Sequence, residues 1–217
     1  MAVVVVGGQA RKVGKTSVVA GLISAISERR WTAIKISGHI HEDAPGAPST
    51  LVAEGRGFLL TEESVERSHT GYARQIAPRF RPQLATRDTA RFIEAGAERV
   101  YWLQAEAGCL VEAVPHLRKI ISAASGGDVI VESTGIVRWL TPDLYLLVLD
   151  FGVEEFKPSA QSTLHQASAF LVHRDREEPL WEGVSALPAR PMLRMCPPKY
   201  VTHEIVEFVR RHLVDES

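Results

Sequence analysis

Short apolar, β-branched runs alternate along the chain with longer segments whose apolar residues recur at helical spacing. Runs of the first kind lie at 2–7, 32–37, 99–105, 128–133, 144–150, 169–173 and 192–196. Several are apolar on both faces, as strands are in the middle of a sheet covered by helices on either side. Helical spacing predicts helices over 15–30, 87–96, 110–125, 159–168 and 199–214. In the last of these, Val201, Ile205, Phe208, Val209 and Leu213 fall on one stripe with charged residues opposite. Strand and helix in repeated alternation predict βαβ units and a parallel sheet. The stretch 38–86 breaks that rhythm. It is rich in Gly, Pro, Ser and charged residues, holds one strand-like piece, "GFLLTEE", and reads as an irregular insertion or lid.

A chain of 217 residues buries one good core and is short for two, so residues 1–217 are expected to form a single domain. The formal charge of −1 creates no overall field for nucleic acid or an anionic membrane, so an anion site must be local. Nucleic acid is further disfavoured because aromatics are few and no known binding module is present. Trp31, Trp102 and Trp139 read as packing residues. Two isolated cysteines, Cys109 and Cys196, give neither a disulfide framework nor a thiolate metal site, which fits a reducing, cytoplasmic setting. The opening run "AVVVV" is too short for a signal sequence, and no apolar stretch reaches membrane-spanning length.

The chemistry concentrates in "VVVVGGQARKVGKTSVVAGLI", residues 3–23. A glycine-rich turn between strand and helix aims successive backbone N–H groups inward, and the helix N-terminus adds positive dipole. The candidate nucleotide-binding stretch is Gly8, Gln9, Ala10, Arg11, Lys12, Val13, Gly14, Lys15, Thr16 and Ser17. Lys15 is the candidate for the β and γ phosphates, and Thr16 for Mg²⁺. Against the pattern G-x-x-x-x-G-K-[ST], position 9 is Gln, and five residues instead of four separate Gly8 from Gly14. The loop is one residue longer than usual.

That lengthened loop, "GGQARKVGKTSVVAGL", resembles the loop of dethiobiotin synthetase. Further matches resemble the molybdopterin-guanine dinucleotide biosynthesis protein B group: Lys35 ending "AIKIS", the histidines of "GHIHED", the helix in "RDTARFIEAGAERVYWL", and Glu132 ending the strand of "DVIVESTGI". The matches run from residue 3 to about 150. The resemblance implies a three-layer α/β parallel-sheet fold of the phosphate-loop NTPase type, with ATP or GTP and Mg²⁺ as cofactors and a homodimer as the assembly. Two departures stand out. Ser133, Thr134 and Gly135 follow Glu132 where such families place Gly directly. His173, Arg174 and Arg176 occupy the positions of a guanine-reading Asn-Lys-x-Asp, so guanine specificity is not expected. Some relatives carry a hydrolysis-promoting lysine within the loop; Arg11 and Lys12 are basic but not aligned with it.

Lys35 ends its strand on the edge where open α/β sheets bind ligands, and is a candidate catalytic residue beside Lys15 and Glu132. A buried strand-end carboxylate at Glu132 needs a cation or donors, and Mg²⁺ is the natural one. Two compatible roles fit Asp88: N-cap of its helix, or a third metal ligand with Thr16 and Glu132. His39, His41 and Asp43 alternate as metal ligands would in an extended segment, or simply face water. Arg74, Arg79, Arg81, Arg87 and Arg91 suit an anionic substrate, or a solvated loop. Three functions follow: a nucleotide hydrolase or adapter serving a cofactor enzyme, an ATP-dependent ligase or kinase on a small anionic substrate, or a nucleotide-binding scaffold without turnover.

Overall fold

The computed structural model describes residues 1–39, 49–63, 88–124, 126–173, 178–182 and 187–213. Among the described residues, nine strands form one sheet: β1 (Val3–Gly8), β2 (Trp31–Ser37), β3 (Ser49–Gly55), β4 (Phe58–Glu63), β5 (Arg99–Ala105), β6 (Asp128–Glu132), β7 (Leu144–Asp150), β8 (Ala169–His173) and β9 (Met192–Met195). Their order across the sheet is β3-β4-β5-β2-β6-β1-β7-β8-β9. From β5 to β9 every pairing is parallel, whereas β3 and β4 form an antiparallel hairpin added beside β5. The expected parallel sheet is therefore a mostly parallel one. Part of the stretch read as irregular, 38–86, is that hairpin. Residues 40–48 and 64–87, including His41, Asp43, Arg74, Arg79, Arg81 and Arg87, lie outside the described residues.

Alternation along the strands sends side chains to opposite faces. Val4 and Val6 join one core cluster while Val3 and Val5 join the other. The first face is covered by α1 (Lys15–Ala25), α2 (Asp88–Glu94) and α5 (His203–His212), the second by α3 (Leu110–Ala123) and α4 (Pro158–Thr163). Three layers result, as expected. In α5, Ile205, Phe208 and Val209 are buried along the apolar stripe.

The helices are shorter than their periodicity suggests. A 3₁₀ turn, Leu164–Gln166, replaces the end of the helix read at 159–168, and α5 starts only after Thr202, whose backbone is extended, because the chain first turns back through an antiparallel bridge between Cys196 and Lys199. Helix α1 is apolar on its inner side, but its outer side carries Ala20, Gly21 and Ala25 instead of charges. It lies between neighbours: Val201 approaches Gly21 so closely that a Cβ there would meet it at 2.6 Å.

Trp31 is buried and donates from Nε1 to Ile26 O at 3.0 Å, tying β2 to the end of α1. Trp139 corrects its reading as a packing residue, since it is 43% exposed at the end of a 3₁₀ turn (Gly135–Arg138). Trp102 is half-buried and donates to Ser37 Oγ at 2.8 Å. No helix among the described residues is long and apolar enough to cross a membrane.

Candidate functional site

The site lies at the carboxyl ends of the parallel strands, where open α/β sheets bind their ligands. Here β1 runs into the loop, and the loop closes on Gly14, which caps α1 with φ of 95°. Only glycine takes that left-handed conformation without strain. A Cβ at Gly14 would also lie 2.4 Å from Tyr200 Cε1, so the tyrosine ring covers the turn. The carbonyl of Val13 is held by the buried His173 Nε2 at 3.0 Å, and the His173 and Tyr200 rings meet edge to face at 5.6 Å. The end of β8 and the segment before α5 thus brace the loop from one side.

Gln9, the residue that replaces the usual glycine, is fully buried. Its Nε2 donates to Asp150 O and Val153 O at 3.0 Å each and more weakly to Glu155 O at 3.4 Å. Its Oε1 accepts from Asp150 N at 2.8 Å. Its backbone N–H donates to Val148 O at 3.0 Å and its carbonyl accepts from Lys157 N at 2.8 Å. The departure from the motif is a clamp that ties the phosphate loop to the segment after β7. Gly8 N is similarly taken, donating to Thr134 Oγ1 at 3.0 Å. Among the described residues, the N–H groups from Ala10 to Ser17 donate to no protein acceptor. A run of backbone donors left open at a helix start is the physical basis of a phosphate cradle.

Beside the cradle, sheet register does the assembling. Glu132 stands opposite Val6 on β1 and Lys35 on β2. Its carboxylate is buried and divided: Oε2 accepts from Thr16 Oγ1 at 2.9 Å, and Oε1 from Lys35 Nζ at 3.1 Å. Lys35 also donates to Asp88 Oδ2, so its ammonium lies between two carboxylates. Asp88 opens α2, and its carboxylate is committed to Lys35. Lys15 Nζ folds back onto Ala10 O at 3.0 Å. Burial pushes the Lys15 ammonium below its ordinary pKa; Glu132 opposes that, and Lys157 and Lys35 add to it.

The structure thus brings Thr16, Lys35, Asp88 and Glu132 into one row, with Lys15 close enough to feel their charges. Arg91, from the arginine group, reaches the same helix start, donating to Ser17 Oγ at 2.9 Å. Arg11, Lys12 and His39 are exposed. Among the described residues, no group of three His, Cys, Asp or Glu side chains could hold a metal ion by itself. Sequence reasoning missed Tyr200, Lys157 and the brace from His173, because each reaches the loop from a distant part of the chain.

Fold and loop together have the architecture of the phosphate-loop class: a strand, a glycine-bounded loop, a Lys-Thr helix start, and a carboxylate on the neighbouring strand. No protein-family model matches the chain, and no curated protein sequence matches it. Among solved structures, the chain is similar to LpxK from Aquifex aeolicus, determined in an "apo" form in complex with ATP. The identity is 18% and the TM-score 0.46. The likeness covers 90% of this chain and 54% of that one, so this chain spans about half that protein's length.

Proposed function

We propose that this chain binds ATP or GTP with Mg²⁺ and hydrolyses it, as a nucleotide hydrolase or adapter in cofactor metabolism. The observation that carries the reading is the row Thr16–Glu132–Lys35–Asp88 set beside a loop whose N–H groups from Ala10 to Ser17 meet no acceptor among the described residues. The backbone donors of that stretch bind the phosphate oxygens. Lys15 leaves Ala10 O to join them, exchanging a neutral acceptor for a charged one.

Thr16, Glu132 and Asp88 offer hard oxygen donors of the kind Mg²⁺ takes, and the two carboxylates already converge on one cationic group, the Lys35 ammonium. Mg²⁺ held there would supply charge neutralisation for the phosphate chain. Lys35, displaced from one carboxylate, would orient the terminal phosphate or an attacking group at the strand ends. Catalysis of this kind is mostly positioning and electrostatics. The resemblance of the loop and of Lys35 to dethiobiotin synthetase and the protein B group supports the cofactor setting. It also supports a homodimer, with a small anionic substrate or a cofactor enzyme as partner.

Phosphate release from ATP and GTP tests the reading. It should require Mg²⁺ and fall at least tenfold in Glu132→Gln and in Lys35→Ala. Release that proceeds equally in EDTA, or that both variants leave unchanged, would overturn it.

A further inference from the structure

The segment after β7 is built with more care than a plain connection needs. Its residues 150–157 are held from below by the Gln9 side chain and from outside by Trp181, whose ring packs edge-on against Phe151 at 5.1 Å and Phe156 at 5.3 Å. Leu180 N closes the arrangement on Phe151 O at 3.0 Å. The segment ends at Lys157, whose backbone N–H donates to Gln9 O at 2.8 Å. The Cα of Lys157 is therefore fixed one hydrogen bond away from the phosphate loop.

The Lys157 side chain is half-buried, and it makes no ion pair among the described residues. Burial pushes its pKa down; Glu155 opposes the shift and Arg11 deepens it. The charge of Lys157 is in turn felt by Lys15. Lys157 thus has two further cations, Lys15 and Arg11, within reach of its charge. Lys35, by contrast, is neutralised by Asp88 and Glu132. A partly desolvated cation without an ion-pair partner costs free energy, and neighbouring cations add repulsion. A polyanion on the loop would relieve both.

We propose that Lys157 is a second phosphate-binding lysine of this site, delivered by the segment after β7 and set in place by Gln9. The inference rests on the nucleotide reading above and adds to it a residue outside the phosphate-loop motif. Lys157 acts on the phosphate chain from the side opposite Lys35, so the negative charge is flanked by Lys15 and Lys157 while the carboxylate row serves the cation. This arrangement gives the buried glutamine of the lengthened loop a purpose: it trades glycine's freedom for a fixed second cation.

The test is binding of ATP, ADP and AMP with Mg²⁺ to the wild type, Lys157→Ala and Lys157→Arg, alongside their thermal melts. Losing one charge-assisted contact is expected to weaken ATP binding about ten- to a hundredfold in Lys157→Ala, with AMP affected much less. Lys157→Arg should recover most of the affinity, and Lys157→Ala should melt no lower than the wild type. Wild-type affinity for ATP in Lys157→Ala would overturn the role of Lys157 and leave the nucleotide reading standing. Equal weakening for all three nucleotides would overturn it as well, since that pattern marks a disturbed fold instead of a lost phosphate contact. A wild type that binds none of the three would overturn both inferences together.

Discussion

Replacing Gln9 by glycine would restore the usual phosphate-loop spacing, and the structure predicts that this apparent improvement damages the protein. The variant Gln9→Gly removes the bonds from Nε2 to Asp150 O and Val153 O, the weaker one to Glu155 O, and the one accepted from Asp150 N. Each such bond contributes about 1 kcal/mol net, and a buried group left without a partner costs about 1–3 kcal/mol. The side chain is also fully buried, so its loss leaves a void that adds to the cost. The sum is a destabilisation of roughly 3–6 kcal/mol. At about 2–4 °C per kcal/mol for a chain of this size, the melting temperature should fall by roughly 6–24 °C.

Urea unfolding followed by circular dichroism reads the change directly. The variant Gln9→Met separates the two contributions, because it keeps most of the volume and none of the hydrogen bonds. It should recover only the void term, about 1–2 kcal/mol. A Gln9→Gly protein within about 1 kcal/mol of the wild type would refute the clamp, and a fully stable Gln9→Met would show that packing alone holds the segment.

Gly14→Ala combines left-handed strain with overlap against Tyr200, and should cost about 2–5 kcal/mol; adding Tyr200→Ala should recover the overlap part, which a double-mutant cycle measures. His173→Ala removes the partner of Val13 O and should destabilise the chain by about 1–3 kcal/mol in the same unfolding assay while weakening nucleotide binding. Lys15 holds its proton less tightly in the folded chain than in the unfolded one, so stability rises with pH from its depressed pKa up to the ordinary value of 10.5. Lys15→Met should therefore melt higher than the wild type at pH 7, with an advantage that shrinks as pH approaches that value; an advantage independent of pH would contradict the assignment to charge burial.

The parallel strands were legible because fully buried strands announce themselves as continuous β-branched runs. The convergence of Lys15, Thr16 and Glu132 was legible because their placement depends on local spacing or on the end of such a run. Strand β3 was not. Its pattern "STLVAEG" leaves Leu51 and Val52 exposed, and a register shift between Leu51 and Ala53 breaks the two-residue period. Such an edge strand carries no clear alternation for sequence reasoning to find.

The clamp of Gln9 on Val153 and the brace of His173 on Val13 were illegible for a different reason. They join residues far apart in the chain through the order of β1, β7 and β8 in the sheet, and that order is a property of packing. The small outer side of α1 was illegible in the same way: α2 and α5 flank it, and neither neighbour is visible in the helix itself.

Whether the lengthened loop is a working nucleotide site is decided by calorimetric titration of ATP and GTP, with and without Mg²⁺, into the wild type and Lys15→Ala. At least one triphosphate should bind, more strongly with Mg²⁺, and the binding should be lost in Lys15→Ala. Absence of heat with both nucleotides, or equal binding by the two proteins, would contradict the nucleotide reading.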